Sequence, residues 1–129
     1  MTFNQAAGNN CQLYFNGDTA GNYSTASVLS TPSALSVTTF NNYFYMFASA
    51  GNTGTGYPQI AIIDIWDYTN TSIAKSAKFT TGGLNWSDTS RNNLEYGNGM
   101  WNGTSAISSI RVDSGTYTTG TTFALYGIV

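Results

Sequence analysis

Three carboxylates are the first residues to weigh for chemistry. Hydrolysis of a glycosidic bond needs two carboxyl groups facing one cleft, about 5 to 10 Å apart. Asp64, Asp67 and Glu95 are the set that could supply them. The competing reading puts Asp67 at a strand end and leaves Asp64 paired or facing solvent. The chain contains no histidine, which removes Ser-His-Asp triads, Cys-His pairs and histidine zinc sites together. Cys11 is the single cysteine, so one chain can build neither an internal disulfide nor a cysteine-ligated metal site. Between strand-like neighbours it reads as a buried, inert thiol. Asn16, Asp18 and Asn22 could offer oxygens to calcium, but they lack the dense acidic spacing of such a site, and an Asx-supported turn is the simpler reading. The expectation is a protein with no catalytic residue, no metal and no cofactor: not an enzyme.

Aromatic residues raise a second possibility, because rings stack on sugars. Tyr57, Trp86 and Tyr96 are the candidates for a glycan-binding face, since polar loops surround them. In a small β domain most rings simply fill the core. Asn-x-Ser/Thr sequons begin at Asn22, Asn70, Asn85 and Asn102; a chain this rich in Asn, Ser and Thr produces them by chance.

Charge excludes other partners. Lys75, Lys78, Arg91 and Arg111 are the only basic residues, against six acidic ones. Neutralising several phosphates needs clustered Lys and Arg, so nucleic acid is not an expected partner. No apolar run approaches the ~18 residues that a membrane helix requires. The opening Met-Thr-Phe-Asn-Gln lacks the basic start and apolar core of a signal peptide, and the expectation is that no leader has been removed. With charged residues at 8%, solubility rests on hydroxyls and amides, which suits a permanent assembly or an extracellular setting.

The elements that must position these groups are strands. At 129 residues the chain is expected to be one domain, with residues 1–10 as a loose arm or first edge strand and 11–129 as a single β-sandwich. Thr and the aromatics favour strands, and Asn, Gly and Ser favour turns. Strands are predicted at Cys11 to Phe15, Tyr23 to Leu29, Ala34 to Thr39, Phe40 to Ala50, Gln59 to Tyr68, Ile73 to Thr80 and Leu94 to Trp101. A closing pair is predicted from Ala106 to Val112 and from Thr121 to Val129. About eight strands at this spacing suggest an antiparallel sandwich or barrel. Gln59 to Tyr68 is apolar almost throughout, the mark of a central strand covered on both sides. In the last run Phe123 and Leu125 share one face, and Ala124 and Tyr126 the other, so it too is expected inside a sheet, where Leu125→Ala would cost about 2 to 5 kcal/mol.

Three stretches taken together carry a resemblance. The first is Leu13-Tyr14-Phe15-Asn16-Gly17-Asp18, continuing to Gly21-Asn22-Tyr23-Ser24. The second is Ile65-Trp66-Asp67-Tyr68 with Lys75 following. The third runs from Trp101-Asn102-Gly103-Thr104 through Ser109-Ile110 and ends in Phe123-Ala124-Leu125-Tyr126-Gly127-Ile128. In this order and spacing the chain resembles small virion proteins of tailed bacteriophages. The resemblance implies an all-β antiparallel β-sandwich of jelly-roll type on the outside of a phage particle, as a capsid decoration (cement) protein or a tail-fibre domain. It carries no catalytic motif.

The expected function is structural: a capsid decoration protein on the outer capsid surface of the virion. Its expected partners are the major capsid protein and further copies of itself, as a homotrimer. The arm from Thr2 to Asn10, with Thr2, Phe3, Asn4 and Gln5 as contacts, is expected to order against a neighbour or the capsid. The alternative is a tail-fibre or receptor-binding module that holds host surface glycans through Tyr57, Trp86 and Tyr96.

Overall fold

The computed structural model describes residues 2–3, 11–31, 34–47, 59–84, 92–113 and 119–127. Nine strands are described where the spacing predicts about eight: β1 (Thr2–Phe3), β2 (Cys11–Phe15), β3 (Tyr23–Ser30), β4 (Leu35–Phe40), β5 (Phe44–Phe47), β6 (Gln59–Trp66), β7 (Lys75–Leu84), β8 (Asn92–Trp101) and β9 (Ile110–Asp113). They form two antiparallel sheets. The wide sheet has the order β1-β6-β7-β8-β3-β4 and the narrow one β5-β2-β9. The protein is therefore an all-β antiparallel sandwich. Its wide sheet contains the meander β6-β7-β8, whose strands pair without a register shift.

Alternation in sequence becomes alternation in burial. Along β8, Glu95, Gly97, Gly99 and Trp101 are buried, while Leu94, Tyr96, Asn98 and Met100 are exposed. Along β7, Lys75, Ala77, Phe79 and Thr81 turn the same way inward. Successive strand residues point to opposite faces, so one face of the wide sheet meets the narrow sheet and the other does not. The core between the sheets is aromatic. Phe15 packs against Trp101 at 5.8 Å between ring centroids and against Phe44 at 6.3 Å. Phe44 meets Phe79 edge-on at 5.7 Å. Rings this large need room beside a backbone, and Gly97 and Gly99 supply it. A Cβ on Gly97 would stand 2.7 Å from the Ala26 carbonyl oxygen, and one on Gly99 would stand 2.7 Å from a carbon of the Phe44 ring.

Three expectations are corrected. The Gln59 to Tyr68 run is not covered on both sides: β6 ends at Trp66 and has only the two-residue β1 beyond it, and Ile60 and Ile62 face outward and exposed. Narrow-sheet cover exists on one face only. Of the predicted strand from Ala106 to Val112, only Ile110–Asp113 is strand, and its edge carries on to Asp113. Residues 121–127 are not a core strand. They hold a single bridge at Thr122, and Leu125 and Tyr126 are 83% and 84% exposed. A strand apolar on both faces needs cover on both, and the narrow sheet ends at β9 with none to give. The run from Phe40 is strand only over Phe44–Phe47 among its described residues.

Candidate functional site

The three stretches that carry the resemblance converge at one end of the sandwich. There they form a hydrogen-bonded latch. Asn16 and Gly17 take left-handed backbone angles, with φ of 53° and 71°, which turn the chain out of β2. The Asn16 amide Nδ2 then donates to the Ala106 carbonyl at 2.8 Å, and its Oδ1 accepts from the Ser108 and Ser109 backbone N–H groups at 2.8 and 3.1 Å. Asp18 accepts the Trp101 indole N–H at 2.7 Å, the Asn22 side-chain amide at 2.9 Å and the Ala20 N–H at 2.9 Å. These bonds favour the carboxylate, the indole contact most, and hold its pKa below the usual value. Ile107 N–H donates to the Tyr68 carbonyl at 2.7 Å. The buried Lys75 ammonium donates to the Ile73 and Thr104 carbonyls at 2.6 and 2.8 Å.

This geometry decides the calcium question for Asn16, Asp18 and Asn22. The Asp18 oxygens and Asn16 Oδ1 are already acceptors, and the Asn22 amide points its N–H at Asp18. The loop is the Asx-supported turn that the spacing favours, tied to a second loop. Among the described residues, no three of His, Cys, Asp and Glu gather where they could hold a metal. Cys11 is fully buried, and burial, with a smaller push from Asp113, raises its thiol to about 12. That fits an inert thiol.

The carboxylates do not come together. Asp64 stands opposite Lys78 on the outer face of the wide sheet, exposed. Glu95 points inward, buried, and accepts the Ser27 hydroxyl at 2.5 Å. The two lie on opposite faces of one sheet. Asp67 sits in an exposed turn just past β6 with φ of 54°. No pair flanks a common cleft.

What remains is the outer face. Cross-strand register arranges it in rows. One row reads Leu35, Ser30, Leu94, Gly82, Ile60, and the next Val37, Val28, Tyr96, Thr80, Ile62. A third reads Thr39, Ala26, Asn98, Lys78, Asp64, and a fourth Ser24, Met100, Ser76, Trp66. Leu35 and Val37 are 72% and 75% exposed, Ile60 and Ile62 54% and 61%. Lys78 leans over the Tyr96 ring at 5.0 Å. Five strands at about 4.8 Å spacing and six residue steps of about 3.4 Å give roughly 400 Å² in plan. Contiguous apolar surface of this extent marks an interaction site more often than chance exposure.

Of the residues expected to make contacts, Thr2 and Phe3 form β1 and pair with Ile60 and Gln59 of their own sheet. Asn4 and Gln5 lie outside the described residues, as do Tyr57 and Trp86. Tyr96 lies within the outer face. The other members of that face, Val28, Leu35, Val37, Ile60, Ile62 and Leu94, are missed by reading the sequence for chemistry, since none is reactive. Their signal was apolar residues on both parities of a strand. Comparison with protein-family models, with curated proteins and with solved structures finds no match to this chain.

Proposed function

We propose that the protein is a structural virion protein, a capsid decoration protein that seats the outer face of its wide sheet on the outer surface of a phage capsid. The observation that carries this reading is the exposed apolar face, whose only charged residues are the neighbours Lys78 and Asp64. The separation of Asp64 from Glu95 and the internal use of the latch residues favour a structural role over a catalytic one. The resemblance to phage virion proteins supplies the setting, with the major capsid protein beneath and the copies clustered as homotrimers of jelly-roll domains. Apolar burial at about 25 cal/mol per Å² suits contact that must survive changes of salt, because it gains little from Coulomb attraction.

The test is the amount of this protein relative to the major capsid protein in purified particles of the phage that encodes it. Decoration requires hundreds of copies per particle, lost together with shell stability when the gene is deleted. A handful of copies located on the tail, with binding to host glycans, would overturn the capsid reading in favour of a receptor-binding module.

A further inference from the structure

We infer that β4 is a self-pairing edge, which joins β4 of a second copy as an antiparallel ladder about a two-fold axis at Val37. Strand β4 is the last of the wide sheet, and among the described residues no strand lies beyond it. It pairs with β3 on its other side in unbroken register, from Thr25 opposite Phe40 to Ser30 opposite Leu35. An edge strand offers its outer N–H and C=O groups to any strand that can approach, and proteins that must stay apart block it with lysine, proline or a bulge. Leu35-Ser36-Val37-Thr38-Thr39-Phe40 contains none of these. The opposite edge differs. There β1 covers the start of β6, and Asp64 projects from the same strand.

Charge selects the occupant. No residue between Asp18 and Asp64 is charged, so two copies can bring β3 and β4 together with no like-charge repulsion. A charged partner strand would find no counter-ion there. A second copy matches by construction, and two-fold contacts are the commonest way for identical chains to close. With the axis at Val37, that residue faces its own counterpart, Leu35 faces Thr39, and Ser36 faces Thr38. Each side chain then keeps its face, so the row Val37, Val28, Tyr96, Thr80, Ile62 continues into the second copy.

The pairing needs only β4, and so stands or falls apart from the proposed function. It also deepens that reading. One outer face offers roughly 400 Å² in plan, half of the ~800 Å² that each side of a standard interface buries. Two faces joined edge to edge reach that size, and the two-fold contact links one trimer to the next on the shell.

The experiment compares assembly mass of the full chain with Val37→Lys, Val37→Glu and their equimolar mixture, by sedimentation and native mass spectrometry. Val37 is 75% exposed, so both variants fold, which circular dichroism checks. Each variant alone places like charges opposite each other and should weaken self-association at least tenfold, while the mixture should restore the wild-type mass. In parallel, Val37→Cys should form a disulfide-linked dimer, because facing residues in a ladder lie within bridging distance and native Cys11 is buried. Ser36→Cys, which faces Thr38 instead, should not. A wild-type chain that is monomeric, variants with unchanged mass, or a mixture that stays apart would each overturn the inference.

Discussion

Gly99→Ala tests the packing of the two sheets at its tightest point. The added methyl would enter the ring of Phe44, meeting ring carbons at 2.7 and 2.9 Å, among others. Phe44 cannot retreat freely, since it is fully buried and held between Phe15 and Phe79. Overpacking of this kind costs about 1 to 3 kcal/mol. Replacing glycine by alanine returns about 0.4 to 1 kcal/mol by restricting the unfolded chain. The net loss should be about 1 to 2 kcal/mol, which lowers Tm by about 4 to 8 °C in a domain of this size. Phe44→Ala alone should cost about 3 to 5 kcal/mol. In that background the ring is gone, and the Gly99 methyl should be neutral or mildly stabilising. The double-mutant cycle, read by chemical denaturation with Trp101 fluorescence, should give a coupling of about 1 to 3 kcal/mol. Gly99→Ala with wild-type stability, or the same loss in both backgrounds, would refute the close approach of ring and backbone.

Three further outcomes follow from the structure. With the Cys11 thiol pushed up to about 12, about one thiol in ten thousand is ionised at pH 8, so alkylation should be negligible until denaturant opens the core. The Asp18 carboxyl titrates below the model value of 3.8; a depressed folded pKa adds stability that is complete above the unfolded value and is lost as pH falls through the folded one. Urea midpoints measured below pH 4 should therefore fall less steeply in Asp18→Asn than in wild type, with no such difference near neutrality. Leu125→Ala should change stability by less than about 0.5 kcal/mol, as expected for an exposed side chain, and a larger loss in thermal unfolding would place residues 121–127 in the core after all.

Much of the fold was legible because period-two alternation is a local signal. The inward residues of β7 and β8, the break at Asn16-Gly17 and the burial of Cys11 all follow from residue types and spacing. The aromatic core was legible in kind, but not the partnering of Phe44 with Gly99, which lie far apart in sequence and meet only across two sheets. The misreadings share one cause. Ile60 and Ile62 in β6, like Leu125 and Tyr126 at the end, put apolar groups on the face that their own chain leaves open. Apolar residues on both parities report that both faces want cover. They do not say whether that cover is the same chain or another one. The carboxylate set failed differently: Asp64 and Glu95 belong to strands separated by β7, and their parity puts them on opposite faces, which only the register reveals.

The docking role of the outer face is tested most directly by titrating purified protein onto particles of the encoding phage from which it has been deleted. Wild type should saturate the shell at a copy number in the hundreds, with little loss of binding at molar salt. Ile62→Asp combined with Val28→Asp puts two carboxylates into the apolar rows, at exposed positions that leave the fold intact. That variant should lose most of its binding, while Thr69→Asp, in an exposed turn away from the face, should bind as wild type does. Saturation by the double variant at wild-type affinity would contradict the role assigned to this face.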